Sequence, residues 1–423
     1  MKLLNMNKFL KLDMYKLSTI LLFMTYSNIF KLVGIYPIIS LVIEIWLILC
    51  IVYHIIKVGI PLNVFIIFFL TFILLSLSFV QIFNDNITSL SAGLMGFRKT
   101  SIVWDIFLAS LLVTVTYEQL NIFVKRIILG GAPVLLYGMK QVLFFSPFDN
   151  KFIQNNAAGL YTGTIFGEQR MTSIFSSASH LGAFSVVIIL LVIYYWNNQY
   201  SLIQKLGLLS IILLSIVCLW GSLSRTMIVV LIICLSSYFI FKLKTINRLI
   251  IGLTVVFSYV IYNSINLKFY FESWLISDNM FLRLIGTIIN ASSDSRLIGR
   301  GDQARELIEL TRQHLIIGYG IGSSEAATYF GYIYHVVSDN LYLSYLMETG
   351  IFGVCLLLFI LFYIFVNLLK LKDEKFGRIV LSLFIGTIFM GFTGTTTAMY
   401  PIIQIIICFF GIGVSYQKQK KDF

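Results

Sequence analysis

Arginine carries most of the chemistry legible in this chain. Arg98, Arg170, Arg225, Arg283, Arg296, Arg300, Arg305 and Arg312 lie between long apolar runs or at their ends. The guanidinium is a planar fork that stays charged when partly dehydrated and grips phosphate or carboxylate with two parallel hydrogen bonds. Arginines gathered at run ends therefore suggest recognition of a diphosphate or an acidic glycan. The plainer alternative is solvated loop charge, paired with Asp294, Asp302, Glu306 and Glu309. The densest stretch runs from Arg300 to Gly353. Asp302 to His314 reads as a helix, because Ala304, Leu307, Ile308 and Leu315 follow a helical spacing. Arg305, Glu309 and Arg312 share the opposite stripe, where Arg305 and Glu309 at i, i+4 could be a surface pair only. Arg300 precedes this helix, close to backbone N–H groups that favour an anion. Next comes G-Y-G-I-G-S-S with Gly318, Gly320 and Gly322. No Lys-Ser/Thr follows it, so it is not a P-loop; such glycines either turn the chain or let N–H groups approach a ligand. Tyr334-His335-Val-Val-Ser338-Asp339-Asn340 then leads to Gly350 and Gly353.

Other chemistries have weaker footing. His54, His180, His314 and His335 form no H-E-x-x-H, and no D-x-D occurs, so no metal site and no cofactor is expected. Cys50, Cys218, Cys234, Cys355 and Cys408 all lie in apolar runs and read as small buried hydrophobes.

The elements that position these residues are set by composition. Of 423 residues, 58% are hydrophobic and 12% charged, whereas a soluble domain carries about 25% charged. Apolar runs near the ~20 residues a bilayer requires make this an all-α polytopic membrane protein. Twelve spans are expected, at about 17–36, 38–56, 60–82, 100–117, 127–145, 174–196, 203–221, 226–241, 249–267, 350–369, 379–396 and 400–416. The first span is read as retained, since no small-residue cleavage site is visible. With a cytoplasmic N-terminus, alternation leaves 18 of the 31 basic residues in short inner segments and returns the C-terminus to the cytoplasm. Fifteen of twenty lysines then fall inside, and eight of eleven arginines outside. Three regions follow: helices in 1–267, one large outer loop in 268–349, and helices with a cytoplasmic tail in 350–423. The first 140 residues contribute little beyond spans. Lys31, Glu44, Asp105 and Lys140 within spans are read as paired or snorkelling, with Asp105 neutralising Arg98 and Lys99. The net charge of +12 follows this topology and does not point to nucleic acid.

The stretch Arg300 to Gly353 resembles the signature region of the bacterial O-antigen ligase and O-antigen/capsular polysaccharide polymerase superfamily. That family has an arginine, a G-x-G about twenty residues on, then H-N-x9-G-x-x-G entering a span. Here the last motif reads Asp339-Asn340-x9-Gly350-x-x-Gly353. Asp339 stands where the ligases carry histidine, which favours the polymerase branch. Arg170 to His180 and Gly221-Ser-Leu-Ser224-Arg225 are similar to two further family elements.

The resemblance implies a glycosyltransferase C-like fold and an enzyme joining glycan units at the outer face of a bacterial cytoplasmic membrane. Donor and acceptor would be undecaprenyl-diphosphate-linked oligosaccharides, with a chain-length regulator and a flippase of the same pathway as candidate partners. The departing lipid diphosphate needs cations, so Arg170, Arg225, Arg300 and Arg305 are the expected clamp. The acceptor hydroxyl needs a base. Asp339 is the first candidate, although it could instead cap the following helix. His335, one helical turn away, is the second. Asn340, Gly318, Gly320, Gly350 and Gly353 complete the motif. A ligase that delivers the finished glycan to another acceptor is the nearest rival. A flippase would instead show repeated halves with charges at the midplane, and no such repeat is evident.

Overall fold

The computed structural model describes residues 10–152, 164–165, 168–197, 199–243, 273–274, 282, 286, 295–324, 331–394 and 399–419, with backbone alone at 164–165, 168, 295–298 and 417–419. Among the described residues the regular elements are helices, apart from one two-residue ladder, Thr164–Ile165 against Glu168–Gln169, and an isolated bridge between Ile87 and Tyr332. In chain order the helices are α1 (Met14–Thr25), α2 (Ser27–Leu32), α3 (Tyr36–Val58), α4 (Leu62–Val80), α5 (Leu90–Leu112), α6 (Tyr117–Leu143), α7 (Ala178–Tyr195), α8 (Leu202–Gly221), α9 (Arg225–Lys242), α10 (Ser295–Thr311), α11 (Leu341–Leu369), α12 (Lys375–Thr393) and α13 (Ile402–Gln419).

Eight of these are long and apolar enough to cross a bilayer: α3, α4, α6, α7, α8, α9, α11 and α12. α1 and α13 are shorter apolar helices, and α5 carries Arg98, Lys99 and Asp105. The chain is a multi-pass, all-α membrane protein. Eleven of the expected spans coincide with helices, and the ninth, at 249–267, lies outside the described residues. Helices satisfy their own backbone hydrogen bonds, so lipid can cover apolar side chains at no polar cost. That explains why α3 buries only Ser40, Leu47, Cys50 and Ile51 of its 23 residues. The interior of the bundle is α7, with 14 of 18 residues buried, and α13, buried continuously from Ile402 to Ser415.

Contacts fix helix direction. Cys234 of α9 donates to the Ser382 carbonyl of α12 (3.3 Å), and the Arg378 guanidinium lies 5.9 Å from the Tyr238 ring. These helices are therefore antiparallel, and the first turn of α9, starting at Arg225, comes level with Phe392–Thr393 at the end of α12. α5 and α13 run parallel, since Ser415 bonds the Val113 carbonyl (3.1 Å) and Gly411 abuts Ser110. Both relations fit the alternation expected from the sequence.

Several boundaries move. The first expected span is two helices broken at Tyr26, whose hydroxyl donates to the Gly130 carbonyl of α6 (2.6 Å). α5 begins at Leu90, not near 100, so Arg98 and Lys99 sit on a helix. Arg98 is neutralised by Glu44 of α3 (2.5 Å) and bonded to Ser40 (2.7 Å), not paired with Asp105. α10 begins at Ser295, which puts Arg300 inside the helix and not ahead of its N-terminus. α11 begins at Leu341, nine residues inside the expected outer loop, and breaks at Gly350 (φ 67°, ψ −167°).

Candidate active site

The glycine run is a packing device. Gly318, Gly320 and Gly322 have φ of +79°, +92° and +84°, a region open to glycine and strained for other residues. Gly318 lies where the broken turn of α11 passes: a Cβ there would stand 2.7 Å from both the Gly350 nitrogen and the Met347 carbonyl. Tyr319 N donates to Met347 O (2.6 Å) and Ile351 N to Leu315 O (2.9 Å), stitching the loop to both sides of the break. The Gly318 and Gly350 of the motif thus form one joint.

The connection between α4 and α5 holds the other side of this loop, and the sequence alone did not mark it. Gln81 donates to Ile317 O (2.9 Å) and Asn84 to Gly318 O (3.2 Å). Buried Asn86 donates to Tyr319 O (2.8 Å) and Tyr334 O (3.0 Å) and accepts from Tyr334 N (2.6 Å). Amide side chains match the carbonyls and N–H groups that an irregular loop leaves over. The signal was there, in the polar cluster Q-I-F-N-D-N between two apolar runs.

From this platform the chain returns as 331–340. Val336 N and Ser338 N donate to Ser323 O (3.3 Å) and Ser324 O (3.1 Å). Asn340 then caps α11, its side-chain oxygen accepting from Tyr342 N (2.9 Å) and Leu343 N (3.1 Å). The cap is therefore Asn340, not Asp339. Asp339 is turned instead toward α10, where Arg300 Nε donates to its carboxylate at 3.0 Å. The pair lines a cleft of about 250 Å³ with Gln303, Ser338, Asn340 and Phe392. The two side chains are 42% and 46% exposed, so the ion pair is worth only ~0–1 kcal/mol and an incoming anion can exchange with it.

The other candidates are distributed as follows. Arg170 Nε donates to the Ser222 carbonyl (3.1 Å), and Met171 N to Gly221 O (2.9 Å). Arg170 is thereby fixed at the α8–α9 turn, on the carbonyl three residues before Arg225. Through the α9–α12 register, this turn lies at the same end of the bundle as Phe392 and the cleft. Two non-glycine residues with positive φ flank it, Ser173 (54°) and Leu223 (49°). Such backbone, which costs of order 1–3 kcal/mol each, clusters at functional sites. Ser173 is held by its hydroxyl on Val134 O (2.6 Å) and by Gln141, which accepts from Ser173 N (2.7 Å) and Thr172 N (3.1 Å).

Gln141 in turn donates to buried Asp149 (3.3 Å). Burial alone would raise the Asp149 carboxyl. Lys140 (2.6 Å), Tyr137 (2.5 Å) and Ser146 N (2.6 Å) outweigh burial and hold it well below the usual carboxylate range.

Arg305 is not in the cleft. Its side chain is 83% exposed and lies 3.9 Å from Asp302, a surface contact at i, i+3 in place of the i, i+4 pair with Glu309 that the spacing suggested. Nor is His335 one helical turn from Asp339, because residues 335–338 form no helix. Its ring lies 5.9 Å from Tyr332, whose hydroxyl donates to Ile321 O (2.9 Å) in the glycine run. Gly353 follows the break of α11, packed on Thr349. Arg283 lies outside the described residues, as does the side chain of Arg296.

No curated protein matches the chain. Residues 208–358 match the family model described as O-antigen ligase. That interval contains Arg225, the Arg300–Asp339 cleft, the glycine joint and the capping Asn340. Over residues 208–358, then, this membrane protein is similar to the family described as O-antigen ligase, in keeping with the resemblance carried by the motif between Arg300 and Gly353.

Proposed function

We infer that the protein is a polysaccharide repeat-unit polymerase. It transfers a glycan from an undecaprenyl-diphosphate donor to a lipid-linked acceptor at the outer face of the cytoplasmic membrane, with both termini in the cytoplasm. The observation that carries this reading is the exchangeable Arg300–Asp339 pair in a cleft beside the membrane-entering turn of α11.

A diphosphate entering the cleft displaces the Asp339 carboxylate from Arg300. Asp339 is then available to the acceptor. As the acceptor oxygen bonds to the anomeric carbon, the bond from that carbon to the diphosphate oxygen breaks and the acceptor proton passes to Asp339. Arg300, with Arg170 and Arg225 at the neighbouring turn, stabilises the charge on the leaving diphosphate. A base of this kind contributes about 10²–10⁴-fold. The ligase reading has one observation in its favour, the description of the matching family; against it stands Asp339 where the ligases have histidine.

The experiment uses the purified full chain in lipid nanodiscs, with one lipid-diphosphate-linked repeat unit as the sole substrate. A ladder of longer lipid-linked products supports the polymerase. Absence of a ladder, with transfer only when a different acceptor is added, overturns it in favour of the ligase.

A further inference from the structure

Glu348 is the acidic residue of α11 closest to the break at Gly350, and 6% of its surface is exposed. Burial in protein makes this an expensive place for a carboxylate unless hydrogen bonds compensate it. Its Oε1 accepts a hydrogen bond from the Ser324 hydroxyl at 2.6 Å, in a buried contact spanning 24 residues of chain.

Ser324 closes the glycine run, and its carbonyl accepts from Ser338 N at 3.1 Å. The Ser338 hydroxyl donates to Asn340 O (2.9 Å) and accepts from Asn340 N (3.1 Å). Asp339 lies between these two residues. A continuous path of hydrogen bonds therefore runs from Glu348 through Ser324 and Ser338 to the backbone on either side of Asp339. Asn340 already anchors that backbone to the first turn of α11, and Glu348 anchors it a second time two turns further along. With both anchors present the backbone of Asp339 is held so that its carboxylate emerges into the cleft beside Arg300. With Glu348 removed, Ser324 loses its hold on α11 and the strand-like pairing at Ser338 is free to shift.

We propose that Glu348 is a positioning residue, which sets the place of Asp339 through Ser324 and Ser338 without touching substrate. This rests on the reading of Asp339 as the base of glycan transfer. Displacements of about 1 Å at a reacting group cost up to ~10²-fold in rate. Glu348→Ala is therefore expected to lower kcat about ten- to hundredfold, with KM for the lipid-linked donor nearly unchanged because the arginines remain. Glu348→Gln keeps an acceptor oxygen and should restore most of the rate.

The test is a double-substitution cycle on the full chain in nanodiscs, measuring kcat and KM for Glu348→Ala, Ser324→Ala and Asp339→Asn, singly and combined. Ser324→Ala breaks the same bond from the other side without touching the carboxylate, so it serves if Glu348→Ala fails to accumulate in the membrane. If Glu348 acts through Asp339, then Glu348→Ala or Ser324→Ala costs nothing further in the Asp339→Asn background. An equal loss in both backgrounds, or a rise in KM alone, overturns the positioning role. Full activity of Asp339→Asn itself overturns the reading of Asp339 as base, a separate outcome.

Discussion

Gly350→Ala is the substitution with the clearest structural consequence. Gly350 has φ +67° and ψ −167° in the middle of α11, a region that other residues enter only at a cost of about 1–3 kcal/mol. An added Cβ would also run into the backbone of Ile316 and stand 2.8 Å from the Ile317 nitrogen. Backbone yields less readily than a side chain, and overpacking of this kind costs typically ~1–3 kcal/mol more. Together the two effects amount to about 2–6 kcal/mol, a large part of the ~5–15 kcal/mol that holds most folds together. The assay is thermal unfolding of the full chain in detergent, followed by labelling of the buried thiols of Cys218, Cys234 and Cys408. Gly299→Ala is the control: it lies on α10 with nothing within 4 Å of the added carbon, and a helical glycine replaced by alanine gains ~0.5–1 kcal/mol. Gly350→Ala should expose the thiols at a clearly lower temperature and shorten the glycan made in cells, while Gly299→Ala does neither. A Gly350→Ala protein as stable and active as wild type would refute the idea that the break in α11 and the glycine run form one joint.

Other substitutions separate stability from chemistry. Asn340→Ala should destabilise by about 0.5–2 kcal/mol through loss of the α11 cap, whereas Asp339→Ala should change the unfolding temperature little, since its ion pair is half-exposed. Rate measurements on the same two proteins should show the larger loss in Asp339→Ala. Asn86→Ala removes the donor to two loop carbonyls; about 1–3 kcal/mol of stability should be lost, read as faster proteolysis of the 315–335 region. Asp149, with its folded pKa depressed, contributes stability that is fully present above the ordinary carboxylate pKa of ~4 and lost as pH falls below it. Thermal melts of wild type should therefore be flat in this respect down to about pH 4 and fall below it, and Asp149→Asn should remove that fall while lowering stability throughout.

How much of this could be read beforehand depended on the kind of interaction. Apolar runs revealed the helices, because the bilayer imposes their length and hydropathy locally along the chain. Helix ends were read less well. α5 and α11 start about ten residues earlier than their apolar cores, since Ser89 and Asn340 start helices whose first turns are polar enough to lie outside a hydropathy window. The roles of Asp339 and Asn340 were blurred for the same reason: a cap is chosen by backbone geometry, and either side chain could have served. Arg305 and Arg300 look alike in sequence, but five residues on a helix put them on different faces, one toward Asp339 and the other toward solvent. For Asn86 the polar cluster at 81–86 marked the segment but not its partners, because Tyr319 and Tyr334 lie more than two hundred residues away.

We infer that Arg300 and Asp339 together run glycan polymerisation. The most direct test is the size distribution of lipid-linked and surface glycan in a strain lacking this protein, rescued with wild type, Arg300→Ala or Asp339→Asn at matched membrane abundance. Single repeat units should be held on lipid at the outer face without the protein, long chains should return with wild type, Arg300→Ala should fail to restore them, and Asp339→Asn should be slower than wild type. Long chains that accumulate on lipid in the deletion strain, or full rescue by Arg300→Ala, would contradict this inference.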